Sequence, residues 1–225
     1  MKLYDQTLFG KFIQRPNRFI AHVQTENGLE VCHVKNTGRC AELLVPGAQV
    51  TLAVSGSAAR KTRCDLVAVQ KGDLYINMDS QAPNRAAQEA LPHLFPGITA
   101  LRPETVFGES RLDFYLEQGK QKAFVEVKGV TLEENGAALF PDAPTERGIR
   151  HIKELEKCVF QGMNAFLLFV IQMQGVNRFQ PNRKTHRAFA DALIHAQDAG
   201  VKIMAYDCIV TPDSMTLNEP VPVYL

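Results

Sequence analysis

The chain has 225 residues, 45% of them hydrophobic and 22% charged, with a formal net charge of +1. That length can bury a proper core without staples, in one large domain or two small ones, while the charge balance excludes a global basic field, so any nucleic acid must be gripped by local patches. Residues 1–80 carry ten Lys/Arg against seven Asp/Glu and the remainder 15 against 17, so the mildly acidic remainder suits a metal cleft better than bare phosphate adhesion.

The first 80 residues read as all-β. Residues 9–14 and 19–25 are short alternating runs, and Asn27-Gly28 is a type I′ hairpin signal leading into 29–35. Asn36-Thr37-Gly38 breaks the chain, 41–44 allows one helical turn, and Pro46-Gly47 starts another turn. Residues 49–55, 64–70 and 74–77 are further strands. Five or six short strands in this space suggest a small closed barrel, OB-like in the first place, with an SH3-like barrel matching the pattern almost as well.

Beyond 82 the character changes. Asn84 is positioned to cap a short helix that Pro92 ends, and 98–106 reads as a strand. Residues 111–116 and 123–128 then form a hairpin about Gly119-Lys120, where a type II′ turn wants its glycine first. Residues 130–132 and 137–140 look like an extended pair around Asn135-Gly136. Thr145 is a good cap for a helix over 145–161 that Gly162 stops. The apolar run 165–171 fits the centre of a sheet and is far too short to cross a membrane. A helix over 187–199 and a strand over 201–209 complete a mixed sheet with helices on its faces. The expected fold is therefore α/β with two domains: an OB-like barrel over 1–82 and a mixed-sheet domain over 83–225, whose hairpin acids give it a PD-(D/E)XK nuclease-like character.

The chemistry concentrates in the hairpin. Counting outward from the turn pairs Phe114 with Val125, Asp113 with Glu126 and Arg111 with Lys128, and opposed side chains share a face. Leu112, Phe114, Leu116, Val125 and Val127 then line the buried side. Two facing carboxylates repel unless a cation lies between them or one is protonated. An isolated E-x-K on a strand is ordinarily a solvated charge pair. With an upstream Asp in register, Asp113, Glu126 and Lys128 instead reproduce the D…(D/E)-x-K pattern of magnesium-dependent nucleases. Mg²⁺ prefers oxygen ligands and is held by one or two carboxylates plus water and phosphate. Asp113 and Glu126 would supply those oxygens, Mn²⁺ could substitute, and Lys128 would stabilise charge on phosphorus or orient the attacking water. Glu89, on the short helix, and Glu109 could complete the shell.

Pro141-Asp142 lies after the E-x-K, in the wrong order for that motif, and reads as a turn. Arg147 and His151, four apart on the next helix, share a face that can meet a phosphate. In the barrel Arg15, Arg18, Lys35 and Arg39 flank strands or turns and are candidate nucleic-acid contacts, as in the basic groove of an OB barrel, and Arg60-Lys61-Thr62-Arg63 is a basic loop of the kind that is usually just solvated. Arg111 adds a cation beside the site. No Walker A motif, Rossmann glycine pattern or nucleophile elbow is present, so no haem, flavin or nucleotide cofactor is expected. Five cysteines, an odd number without C-x-x-C spacing, and no signal peptide point to reduced thiols in a cytoplasmic protein.

Several stretches together carry a resemblance. These are Asn36-Thr37-Gly38-Arg39 with Pro46-Gly47, Ser110-Arg111-Leu112-Asp113-Phe114, and Glu126-Val127-Lys128 followed by Val130-Thr131-Leu132. Phe140-Pro141-Asp142-Ala143 leading to Thr145-Glu146-Arg147-Gly148 and His151 is the last of them. With these the sequence resembles, nearly end to end, the sugar fermentation stimulation protein A family. The resemblance implies an amino-terminal OB barrel, a carboxy-terminal nuclease-like domain, DNA binding and a link to sugar (maltose) metabolism. Its nuclease-type positions fall on Asp113, Glu126 and Lys128, with Glu89 as a helix acid. Leu112 stands where the wider nuclease pattern has proline. Fold alone does not fix function.

Overall fold

The computed structural model describes residues 1–36, 38–56 and 59–225; Thr37 of the expected chain break lies outside them. Six strands build the amino-terminal half: β1 (Thr7–Asn17), β2 (Ile20–Thr25), β3 (Gly28–Val34), β4 (Gln49–Val54), β5 (Cys64–Lys71) and β6 (Leu74–Asn77). β1 pairs antiparallel with β2 and with β4, and β4 with β5. A short parallel contact of β3 with β5 closes the ring, His33 opposite Asp65 and Val34 opposite Leu66. The result is a closed five-stranded OB barrel, with β6 folded back on β5. The β2–β3 turn sits one residue earlier than the Asn27-Gly28 signal suggests. Gly28 pairs with Thr25 at φ +110°, and the Thr25 hydroxyl accepts from the Asn27 N–H.

The second half runs α1 (Ala82–Leu94), β7 (Ala100–Phe107), β8 (Ser110–Gln118), β9 (Gln121–Val130), β10 (Leu132–Glu134), β11 (Ala137–Phe140), α2 (Glu146–Phe160), β12 (Asn164–Ile171), β13 (Arg178–Pro181), α3 (Arg187–Asp198), β14 (Lys202–Val210) and β15 (Met215–Pro220). Its main sheet has the order β15-β14-β12-β9-β8-β7, parallel across β9, β12 and β14 and antiparallel toward both edges. β12 is buried from Ala165 to Ile171, as a strand covered on both faces must be. A small sheet, β10-β11-β13, stands beside it.

α1 does not start at Asn84. Pro83 sits in its first turn, where a missing N–H costs nothing. Asn84 is thereby free to spend its side chain elsewhere, and the helix carries Pro92 within its last turn. α2 starts as expected, the Thr145 hydroxyl accepting from the Gly148 N–H at 3.0 Å. Gly148 is needed there, because a Cβ would stand 2.9 Å from the Thr145 methyl and 3.1 Å from the Phe189 ring. The short strands β13 and β15 were not expected. Their sequences, Arg-Phe-Gln-Pro and Met-Thr-Leu-Asn-Glu-Pro, alternate over too few residues to mark a strand, and the neighbouring β11 and β14 supply the pairing.

Two apolar clusters flank the main sheet. One joins Phe124, Leu167 and Phe169 to Ile152 and Leu155 of α2 and Phe189 of α3, and continues into the barrel through Leu52, Leu66 and Ile76. The other lies under α1 and gathers Phe114, Leu116, Val125 and Leu168 with Ala86, Leu91, Leu3 and Tyr4. The halves are also tied by polar groups. The Asn77 N–H donates to Gln172 O at 2.9 Å, and Gln172 Nε2 donates to Asn77 Oδ1 and Asp79 O at 3.1 Å each. Buried Asp79 pairs with Lys35 at 2.8 Å and accepts from Tyr4 Oη at 3.0 Å. Residues 1–4 cross back to the carboxy-terminal half, where Leu3 and Tyr4 both donate to Asp213 O and Met215 donates to Met1 O.

Candidate functional site

The hairpin has the register counted from its turn. Gln118 faces Gln121, Glu117 Lys122, Leu116 Ala123, Tyr115 Phe124 and Phe114 Val125. Gly119 sits at φ +61°, as the first central residue of a type II′ turn requires. The regular pairing ends at Phe114 and Val125, so Asp113 and Glu126 do not form the expected cross-strand pair, nor do Arg111 and Lys128. The cause is local. Asp113 Oδ2 accepts the Val127 N–H at 2.8 Å, in the direction where a strand carbonyl would otherwise lie. On the other side Glu104, between the β7 partners of Phe114 and Leu112, adopts φ +49°. The strands thus part where the acid sits, a backbone strain of the kind found at functional sites. Leu112 consequently joins the α2-side cluster, whereas Phe114 and Leu116 join the one beneath α1.

Asp113 is fixed by two donors, the Val127 N–H and Asn84 Nδ2, the latter 2.7 Å from Oδ1. Burial raises its pKa, and the charge of Glu126 raises it further against the pull of those donors and Lys128. Glu126 is 2% exposed. Its Oε1 takes the Lys128 ammonium at 2.6 Å and a short hydrogen bond from His151 Nδ1. Burial alone would raise the Glu126 pKa, but His151 and Lys128 outweigh it and hold the group below the ordinary glutamate value. Environments that drive two neighbouring carboxyls apart in this way mark sites with divided chemical roles.

His151 is oriented in turn. Arg147 Nε donates to His151 Nε2 at 3.3 Å, so that nitrogen is an acceptor and the ring proton sits on Nδ1, facing Glu126. Arg147 is itself exposed on the first turns of α2. The expected Arg147–His151 face is therefore divided: His151 turns inward to Glu126 and only Arg147 reaches solvent. Among the described residues Glu126 Oε2 is buried without a hydrogen-bond partner, a position a polar atom keeps only at a cost unless something charged completes it. No group of three or more His, Cys, Asp and Glu side chains is gathered there among the described residues. A Mg²⁺-like ion, which keeps waters and needs one or two carboxylates, fits such a site; a fully protein-caged ion does not.

The remaining expected residues lie apart. Glu89 is half-exposed and pairs with the Met1 amine at 3.1 Å, because α1 turns that face toward β15 rather than toward β8. Glu109 occupies the exposed β7–β8 turn, near Lys157. Arg15 donates to the carbonyls of Arg18, Asn36, Gly38 and Arg39 at 2.7–2.9 Å, so its guanidinium holds the barrel loop together. Lys35 is committed to Asp79. Arg18 lies over the Phe19 ring, Arg39 donates to Asp142 O at 2.8 Å, and Arg111 meets Glu104 at 3.4 Å; all three are exposed. In the basic loop Arg60 is taken by Asp65 and Arg63 by Glu30. The partner missed from sequence was Asn84, whose signal as a cap masked its reach to Asp113.

Two family models match the chain: the SfsA N-terminal OB domain over residues 13–78 and the sugar fermentation stimulation protein RE domain over 81–214. A sugar fermentation stimulation protein homolog of Desulfitobacterium hafniense is 54% identical over 223 residues, covering 99% of this chain and 98% of that one. Another from Ruminiclostridium cellulolyticum is 54% identical over 224 residues, covering 99% of each. The solved structure of Pyrococcus furiosus SfsA in complex with Ca2+ superimposes with a TM-score of 0.87 at 31% identity, over the whole of both chains.

Proposed function

The chain belongs to the sugar fermentation stimulation protein family, and from that premise we propose that it is a DNA-binding protein whose carboxy-terminal domain carries a divalent-metal phosphodiesterase site of the PD-(D/E)XK kind. The observation that carries this reading is Glu126 Oε2, buried and unpartnered among the described residues, with the Asp113 carboxylate near enough for the two charges to act on each other. Asp113 and Glu126 are the oxygens that would hold Mg²⁺, with Mn²⁺ as a substitute. The Ca2+ bound by the Pyrococcus furiosus relative supports a divalent ion. Such an ion, when bound, neutralises phosphate charge and lowers the pKa of a coordinated water.

The chain's own groups do the rest. His151 and Lys128 pin Glu126 Oε1 and leave Oε2 without a hydrogen-bond partner among the described residues. Asn84 and the Val127 N–H hold Asp113 in place. Lys128, already at 2.6 Å from Glu126, offers a compact positive charge to the phosphate under attack. Arg147 extends from α2 as a phosphate contact, and Arg18, Arg39 and Arg111 supply further exposed cations along the strand. Arg15 and Lys35 support the fold, and Glu89 takes no part in the site. The unpaired, buried cysteines support a reducing, cytoplasmic setting.

A second reading keeps the DNA binding without the cleavage, as a regulator of sugar (maltose) metabolism genes. It is favoured by the Lys128–Glu126 ion pair, which already satisfies the lysine. Cleavage of DNA in Mg²⁺ or Mn²⁺, compared between wild type and Asp113→Ala, separates them. The hydrolase reading expects products from wild type alone; saturable, salt-sensitive binding without product from either protein leaves the regulator.

A further inference from the structure

Next to the site lies a cavity of about 130 Å³ that both halves of the molecule build. Asn36 comes from the barrel loop, Ser80 from the segment joining the halves, Gly129 and Thr131 from the end of the E-x-K strand and beyond, and Phe140 and Asp142 from the approach to α2. Its lining adjoins the site along the chain. Gly129 follows Lys128, and Pro83, also in the lining, precedes the Asn84 that holds Asp113. Backbone shape keeps it open, since a Cβ on Gly129 would stand 2.6 Å from both Gln172 Oε1 and Pro83 Cγ. A Cβ on Gly38 would meet Asp142 Oδ2 at 2.7 Å and Asn36 Oδ1 at 2.9 Å, so that glycine lets the barrel loop close on the second half.

The chemistry of the lining selects its occupant. Asp142 is the one charged residue among the described lining residues, and the Arg39 guanidinium bonds its backbone carbonyl rather than its carboxylate. A phosphate would be repelled, so the cavity is not a second anion site. Phe140 offers an aromatic wall, fixed by Phe169 and Phe189 at 5.6 and 5.2 Å between ring centroids. Asn36 Oδ1 is occupied by the Gly38 N–H at 2.8 Å. Among the described residues its Nδ2 donor has no partner, and neither has the Asp142 carboxylate acceptor. An amide donor and a carboxylate acceptor beside an aromatic ring complement the polar edge and π-face of a neutral heterocycle. The volume equals about four waters at roughly 30 Å³ each, the scale of one ring system.

We propose that this cavity receives a single unstacked nucleobase of the strand whose phosphate lies at the Asp113–Glu126 site. The inference rests on the nucleic-acid reading of that site and adds to it: the protein grips one nucleotide by its base as well as by its phosphate. A base that stacks and hydrogen-bonds in this way gains at least about fivefold in affinity.

The test is competition against labelled DNA, in Ca2+, by deoxynucleoside 5′-monophosphates and by deoxyribose 5-phosphate. The mononucleotides should compete at a concentration at least about fivefold lower than the sugar phosphate. Ser80→Leu, which plugs the cavity from an exposed rim position, should erase that advantage. Asn36→Ala, which adds no bulk, should reduce it by a smaller factor. Equal competition by the two ligands in wild type, with labelled DNA bound, overturns the base pocket and leaves the phosphate site standing. An advantage that survives both substitutions places the base elsewhere and overturns it too. If labelled DNA does not bind at all, the functional reading falls and the pocket falls with it.

Discussion

The barrel and the hairpin domain use their charges in opposite ways. In the barrel, cations that look like a nucleic-acid grip are mostly consumed by the fold. Arg15 ties four carbonyls of one loop, Lys35 neutralises buried Asp79, and Arg60 and Arg63 pair with Asp65 and Glu30. In the second half the charges at Asp113 and Glu126 are left in tension, with one carboxyl raised, the other lowered and a buried oxygen unpartnered among the described residues. The contrast teaches that a basic run in sequence reports where cations are, whereas function depends on which of them the fold leaves unspent.

Substitutions can sharpen or break this contrast. Lys128→Ala has a large expected effect on the chemistry: DNA cleavage per folded molecule should fall by about 10²–10³, the range for removing one charge-stabilising donor, and Tm should fall as well, because buried Glu126 loses a charge partner. Arg15→Ala should spare the chemistry. Losing its carbonyl bonds should cost about 2 kcal/mol and lower Tm by roughly 4–8 °C, while cleavage per folded molecule persists. A selective loss of DNA affinity without a stability change would return Arg15 to the nucleic-acid surface. His151→Ala should weaken divalent-ion affinity about tenfold, as loss of a group orienting a metal ligand does, which a calorimetric Ca2+ titration would read. Arg39→Ala should lower the slope of log affinity against log salt by about one; an unchanged slope would remove Arg39 from the phosphate contacts.

The smallest change in stability concerns Asp113 and runs against intuition. Its folded pKa is raised, so between the unfolded value and the folded one the native state binds more protons than the unfolded chain. Stability from this group is then fully present below the unfolded pKa and is lost as pH rises through the folded one. Once ionised, Asp113 therefore destabilises the metal-free protein, and Asp113→Asn should raise Tm where the wild-type acid is ionised, while abolishing cleavage. Glu126 has the opposite sign. Its lowered pKa contributes stability above the unfolded value that is lost as pH falls through the folded one. A lower Tm for Asp113→Asn in the pH range where the wild-type acid is ionised would mean that the acid's hydrogen bonds outweigh its repulsion.

Much of this was legible because it depends on local rules. Gly119-Lys120 fixes the hairpin register, Thr145 fixes the start of α2, and the apolar run in β12 fixes the sheet's centre. The rest depends on partners distant in sequence. Nothing local says that Asp113 will take a backbone N–H from the next strand and stop the ladder, or that Asn84 will reach it across 29 residues. His151 was legible as a polar helix face, but only packing of α2 against β9 turns it toward Glu126. β13 and β15 became strands through their neighbours alone.

Residues 1–4 lie against Asp213 and Met215, and Leu3 and Tyr4 pack with Phe114, Val125 and Leu168. The barrel is thus, in topological terms, an insertion clasped by its host on both flanks. Splitting the gene at the linker would strip the host of that clasp. Shuffling barrels among relatives would succeed only as a cassette exchange between residue 4 and the start of α1, so heredity can treat the barrel as cargo but never as a detachable head.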